Sequence, residues 1–68
     1  MKIRLLLVND DKNVEISLPK SALVGDTLKR LKIPPDTVII TRNGQPIPID
    51  TPLEPDDQLN IIRVLSGG

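Results

Sequence analysis

The start of the chain alternates between polar and apolar positions. Alternation begins within residues 2–8 and returns cleanly in residues 14–18, and the polar segment 9–13 lies between them. A period of two is typical of a half-buried β-strand, and two such runs around a short polar loop predict a β-hairpin. We expect Pro19 to end the second strand, because proline cannot donate a hydrogen bond to the ladder.

The apolar period then changes to that of a helix. The helical stripe, with spacing i, i+4 and i+7, is formed by Val24, Leu28 and Leu31. Pro34 and Pro35 follow and prevent the helix from continuing. The start stays open between two positions, since Ser21 is a good N-cap residue but a start near Leu23 fits the stripe equally well.

The second half of the chain returns to strand patterns. Residues 37–42 are rich in β-branched side chains and are followed by Asn43 and Gly44, the strongest short signal for a hairpin turn. The returning segment 45–49 contains two prolines, so we expect a short strand at an edge of the sheet. Residues 58–64 form the last predicted strand.

The predicted order of elements is β-β-α-β-β-β, an α+β class with one helix packed on one face of a mixed sheet. We expect the closing strand to lie parallel to the first strand in the middle of that sheet. Residues 1–64 form the predicted domain and residues 65–68 a flexible C-terminal tail. The side chains expected to pack against the helix are Ile3, Leu5, Val14, Ile16, Val38, Ile40, Leu59 and Ile61.

Composition narrows the possible functions. The sequence has 68 residues with no Cys, His or aromatic residue, and its nine Lys and Arg balance nine Asp and Glu. Without Cys and His, a disulfide, a thiolate metal site and a Ser-His triad are excluded. Balanced charge and the missing aromatic side chains argue against a nucleic-acid binder. No apolar run approaches the roughly 20 residues of a membrane span, and no signal-peptide pattern precedes the first strand, so we expect a cytoplasmic protein. We also expect the free chain to be a monomer.

Two carboxylate pairs are the remaining candidates for acid–base chemistry. Asp10 and Asp11 lie in one predicted turn, and Asp56 and Asp57 lie in another. Aspartate is favoured in turns because its side chain accepts hydrogen bonds from nearby backbone N–H groups. Weak binding of Ca²⁺ or Mg²⁺ is the alternative, but EF-hand spacing is absent. We therefore predict no metal site and no catalytic residue.

The sequence closes on Gly67 and Gly68. Glycine has no Cβ, so its backbone can enter a narrow channel that excludes other residues. A terminal carboxylate becomes an acyl donor only after activation, for which a partner enzyme would use ATP. The predicted last strand would anchor the tail, and Leu65 and Ser66 would lead from it to the glycines.

Three segments carry a resemblance to a known family, namely "TVIITRNGQPIP" at 37–48, "PDDQLNIIRV" at 55–64 and the final "SGG". The chain resembles the ubiquitin-like β-grasp sulfur carriers and small modifiers. These include the thiazole-synthesis sulfur carrier, the small subunit of molybdopterin synthase, and the archaeal and bacterial small modifiers that also serve in tRNA thiolation. The resemblance implies a ubiquitin-like β-grasp fold and a non-enzymatic carrier without a bound cofactor.

The resemblance also implies roles for the two glycines. The carboxylate of Gly68 would become an acyl-adenylate and then a thiocarboxylate, and Gly67 would give the tail access to the partner's site. The implied partners are an ATP-dependent adenylating enzyme of the ubiquitin-activating type and a downstream sulfur-accepting enzyme. Two alternatives stay open: a protein modifier joined through Gly68 to lysines, and a β-grasp adaptor that only binds partners non-covalently.

A docking patch is predicted on the sheet face opposite the helix. The alternation places Leu6, Ile62 and Ile39 on that face, in a straight row across adjacent strands. Three such side chains beside the tail indicate a partner-binding surface, which would also include Leu65 and Ser66. The flanking residues are expected to be Arg4, Thr41 and Arg63. A shift of the register by one residue would turn the patch inward, and scattered exposed aliphatic residues are the alternative interpretation.

Overall fold

The computed structural model describes residues 1–64. The four remaining residues Leu65, Ser66, Gly67 and Gly68 lie outside the described residues, so the tail at 65–68 stays a prediction. The strands are β1 (Lys2–Leu7), β2 (Lys12–Ser17), β3 (Val38–Arg42), β4 (Gln45–Pro46) and β5 (Gln58–Arg63), and the helix is α1 (Val24–Leu31). Short 3-10 turns cover Val8–Asp10 and Pro35–Thr37.

All five strands join one mixed sheet in the order β2-β1-β5-β3-β4. The β1 and β5 strands pair in parallel, whereas the other three pairs are antiparallel. The last strand therefore lies at the centre of the sheet beside the first, as the sequence predicts. The predicted α+β class and the β-β-α-β-β-β order are confirmed.

The second hairpin follows from its turn residues and its prolines. Asn43 and Gly44 have φ angles of 53° and 80°, as a tight turn with two left-handed residues requires. The returning strand β4 has only two residues and lies at the edge of the sheet. Pro46 belongs to this strand, and an edge position lets a proline join a sheet without leaving a ladder bond unmade.

The helix begins at Val24 because neighbouring groups satisfy its first backbone N–H groups. The N–H of Val24 donates to the carbonyl of Thr51 at 2.8 Å, and the N–H of Gly25 donates to that of Ile49 at 2.7 Å. The Asp26 carboxylate accepts the N–H of the N-cap residue Leu23 at 2.8 Å. The later of the two predicted starts is confirmed, and Ser21 does not cap the helix.

The hydrophobic core lies between α1 and one face of the sheet. Of the predicted core residues, Val14 and Val38 are only partly buried, and Ala22 and Leu53 join the core from segments without a periodic pattern. The buried hydrophobic residues are Ile3, Leu5, Ile16, Ala22, Val24, Leu28, Ile40, Leu53, Leu59 and Ile61. Within residues 1–64, no helix has both the length and the apolar character needed to cross a membrane.

Candidate functional site

The predicted docking patch lies on the sheet face opposite α1. Ile39 pairs directly with Ile62 across β3 and β5, and Ile39 is 43% exposed. Leu6 and Ile62 are half-buried. Leu6 pairs with Asn60 rather than with Ile62, so the three apolar side chains follow a diagonal across the strands and not the straight row that the sequence predicts. We refer to Leu6, Ile39 and Ile62 as the outer patch.

Two of the three predicted flanking residues need correction. Thr41 is only 7% exposed, because Asn60 in β5 and Pro46 in β4 lie on either side of it. Arg63 has the same parity along β5 as the buried Ile61, so alternation places it on the helix side of the sheet. Arg4 is exposed and shares the parity of Leu6, so it flanks the outer patch as predicted.

The end of β5 is held from both sides. The N–H of Arg63 donates to Oδ1 of Asn9 at 2.7 Å, although the two residues are far apart in sequence. The N–H of Val64 donates to the carbonyl of Thr37 at 2.9 Å. The guanidinium of Arg63 also lies 3.4 Å from the Asp10 carboxylate. The last residues before the tail are therefore fixed by the β1–β2 turn and by the segment before β3.

The acidic pairs occupy turns, as aspartates in such segments are expected to do. Asp11 and Asp56 both have left-handed backbone conformations, with φ angles of 48° and 63°. Asp10 lies in the 3-10 turn that precedes β2. In the part of the chain that the structure describes, no group of three or more Asp, Glu, His or Cys is placed to hold a metal ion.

The ion pair between Arg42 and Asp57 was not predicted from the sequence. Asp57 is 8% exposed, and its Oδ2 accepts hydrogen bonds from Nη2 of Arg42 at 2.6 Å and from the N–H of Glu54 at 2.9 Å. Nη2 of Arg42 also donates to the carbonyl of Pro52 at 3.2 Å. Turn propensity accounts for an aspartate at position 57, so no local signal in the sequence indicated a buried ion pair with a residue on β3.

Comparison with known proteins decides the family. The family model described as "Small archaeal modifier protein 2" matches residues 1–65. The chain belongs to this family. An uncharacterised protein of Archaeoglobus fulgidus is 32% identical over 69 aligned positions, which cover 100% of both chains. Membership confirms the resemblance to the ubiquitin-like small modifiers, and the match stops short of Gly67 and Gly68.

Two solved structures share the fold. The crystal structure of SAMP1 from Haloferax volcanii superposes with a TM-score of 0.76 at 20% identity and covers 100% of both chains. The structure named Caldiarchaeum subterraneum ubiquitin gives a TM-score of 0.76 at 24% identity, with coverage of 100% of this chain and 98% of that one. Together with the sheet order, these likenesses confirm the ubiquitin-like β-grasp fold.

Proposed function

We propose that this member of the small modifier family is a sulfur carrier whose working group is the carboxylate of Gly68. The observation that carries the proposal is the position of β5. This central strand ends at Arg63 with its last N–H groups bonded on both sides, and the sequence reaches Gly67 and Gly68 shortly afterwards. A rigid strand followed by a short lead suits the delivery of a carboxylate into a partner's site.

The proposed chemistry has two steps, both at the carboxylate of Gly68. A carboxylate oxygen attacks the α-phosphorus of ATP, the bond to the β-phosphate breaks, and pyrophosphate leaves. A hydrosulfide donor then attacks the carbonyl carbon of the mixed anhydride, and AMP leaves with the bridging oxygen. The product is a thiocarboxylate, and neither step requires an oxidant or a reductant.

The chain would act as a substrate and not as an enzyme. An adenylating enzyme of the ubiquitin-activating type would bind the ATP, so the chain itself needs no cofactor. We infer that this enzyme docks on the outer patch, since apolar side chains in adjacent strands offer a contact surface beside the tail. Arg4 would contribute charge at the edge of that contact. The proposed setting is the cytoplasm, with the free chain a monomer.

A second function is supported by the family to which the chain belongs, which is described as a modifier. The same acyl-adenylate could be attacked by an amine, and Gly68 would then end in an isopeptide bond to a target lysine. Carrier and modifier share every residue named above and differ only in the nucleophile that accepts the acyl group. A non-covalent adaptor would use the outer patch but would not need the glycines.

The exchange of labelled pyrophosphate into ATP tests the shared activation step. With an adenylating enzyme of this type, the unmodified chain is expected to support exchange, and deletion of Gly67 and Gly68 is expected to abolish it. The intact mass of the chain from its native cells establishes first that Gly68 carries the free carboxylate. Equal urea midpoints for the two chains would show that the deletion spares the fold, since residues at a terminus contribute little stability.

A chain with one residue added after Gly68 is the matched control for length. We expect this variant to be inactive as well, because the added residue displaces the carboxylate and places a side chain beside it. Undiminished pyrophosphate exchange by the deletion variant would contradict the proposal, and an absence of exchange with the unmodified chain as well would favour the adaptor.

A further inference from the structure

The turn between β1 and β2 supplies a hydrogen-bond acceptor for a backbone N–H group at the end of β5 that no neighbouring strand can bind. The parallel pairing of β1 with β5 ends at the pair of Leu7 and Ile61. Successive N–H groups along a strand point to opposite neighbours. The N–H of Arg63 points to the side of β5 on which β1 lies, but β1 ends before it reaches this position. The 3-10 turn Val8–Asp10 follows β1 at this point, and Oδ1 of Asn9 accepts the hydrogen bond from the N–H of Arg63 at 2.7 Å.

The opposite side of β5 is held by the segment that leads into β3. The N–H of Val64 donates to the carbonyl of Thr37 at 2.9 Å. Two consecutive N–H groups are thus fixed by different parts of the fold. Asp10 adds an ion pair with the Arg63 side chain at 3.4 Å, but the two side chains are 48% and 63% exposed, and an exposed pair of this kind contributes little.

We propose that Asn9 is a positioning residue that sets the direction in which the tail leaves the sheet. This inference rests on the proposed function. In this contact the backbone N–H of Arg63, at the end of the central strand, donates a hydrogen bond to the Asn9 side chain in the β1–β2 turn. In this role Asn9 would act only through the backbone of Arg63 and Val64.

The length of the tail shows why its direction matters. Four residues follow Val64 in the sequence, and an extended chain of four residues spans at most about 14 Å. Freedom of movement at Arg63 and Val64 would therefore add to the volume over which the far end is spread. Reaction requires the carboxylate and the α-phosphorus to approach to about 3–3.5 Å, so a less directed tail is productive in a smaller share of bound complexes.

The test measures pyrophosphate exchange at varied concentrations of the chain and compares three variants. Asn9→Ala removes the acceptor and is expected to lower kcat about 5-fold, the effect of losing about one hydrogen bond. KM is expected to stay within 2-fold, because the outer patch is untouched. Asn9→Asp keeps an oxygen at the same position and should restore kcat. Asp10→Asn breaks only the exposed ion pair and should match the unmodified chain.

Amide hydrogen exchange in the free chain reports on the contact itself. We expect the Arg63 amide to exchange about 10-fold faster in Asn9→Ala than in the unmodified chain or in Asn9→Asp. A merely structural role for Asn9 would lower the urea midpoint but leave kcat unchanged at temperatures where all chains are folded.

The outcomes separate this inference from the function on which it rests. An unmodified chain that supports no pyrophosphate exchange with such an enzyme overturns both. An active unmodified chain with an equally active Asn9→Ala variant overturns the positioning role alone. A loss that appears in KM, or that Asn9→Asp fails to restore, also overturns it.

Discussion

Asp57→Asn is expected to destabilise the protein far more than a change at an exposed acidic residue. The substitution keeps the size of the side chain and an oxygen that can accept the N–H of Glu54, but it removes the negative charge beside Arg42. Breaking a buried ion pair costs about 3–5 kcal/mol. The Arg42 side chain is 21% exposed and can keep some water, so we expect a loss of about 2–3 kcal/mol.

A loss of that size is large for this chain. A domain of 68 residues is expected to have a free energy of unfolding of roughly 3–10 kcal/mol. Part of the benefit of the pair is offset, because Nε of Arg42 is buried without a hydrogen-bond partner among residues 1–64. Asp57 also fixes the start of β5, since its backbone carbonyl accepts the N–H of Arg4 at 2.9 Å.

Urea denaturation followed by far-ultraviolet circular dichroism measures this loss, because the chain has no aromatic residue for fluorescence. The matched control is Glu15→Gln, whose ion pair with Lys2 spans 3.7 Å between side chains that are 50% and 73% exposed. The control should cost at most about 0.5 kcal/mol. A double-mutant cycle of Asp57→Asn with Arg42→Met should give a coupling of about 1–3 kcal/mol. A cost equal to that of the control, or zero coupling, would refute the reasoning.

Two further predictions concern the core and the outer patch. Leu28→Ala should lower the free energy of unfolding by about 2–5 kcal/mol, because Leu28 is 1% exposed. Urea denaturation checks this: Leu31→Ala should cost less, because Leu31 is half-buried, and an unchanged midpoint for Leu28→Ala would show that the helical stripe is wrongly assigned. Ile62→Asp should weaken docking to the adenylating enzyme by about 1 kcal/mol or more, since the introduced charge would lose water without gaining a partner. Titration calorimetry measures this against Ile49→Asp, a change at a 49% exposed residue outside the outer patch, and equal affinities would place the docking surface elsewhere.

The fold was accessible from the sequence because local signals agreed with one another. Period-two alternation predicted the first hairpin, the Asn43 and Gly44 pair predicted the second, and the two prolines after it predicted a short edge strand. The helix start was ambiguous because the groups that fix it are not local. The first N–H groups of the helix donate to the carbonyls of Ile49 and Thr51, and no pattern within the helix sequence indicates these contacts.

The candidate site was predictable only where local patterns determine it. Alternation placed Leu6, Ile39 and Ile62 on one face, but the offset of Leu6 depends on the register between β1 and β5, which a single strand does not reveal. Two contacts join distant parts of the chain: the hydrogen bond that Asn9 accepts from the N–H of Arg63 and the ion pair of Arg42 with Asp57. In the sequence, Asn9 and Asp57 are explained as turn residues, and Arg42 and Arg63 as exposed cations. The sequence therefore gives no reason to expect their long-range contacts.

The mass of the C-terminal peptide tests the central claim most directly. The chain is incubated with the adenylating enzyme, ATP and a hydrosulfide donor and is then digested with trypsin. Arg63 is the last basic residue, so the peptide of residues 64–68 is released alone. A sulfur carrier predicts that this peptide gains the mass of one sulfur and loses that of one oxygen, while every other peptide is unchanged. An unaltered peptide, or one found only in amide linkage to lysine side chains, would contradict the carrier function.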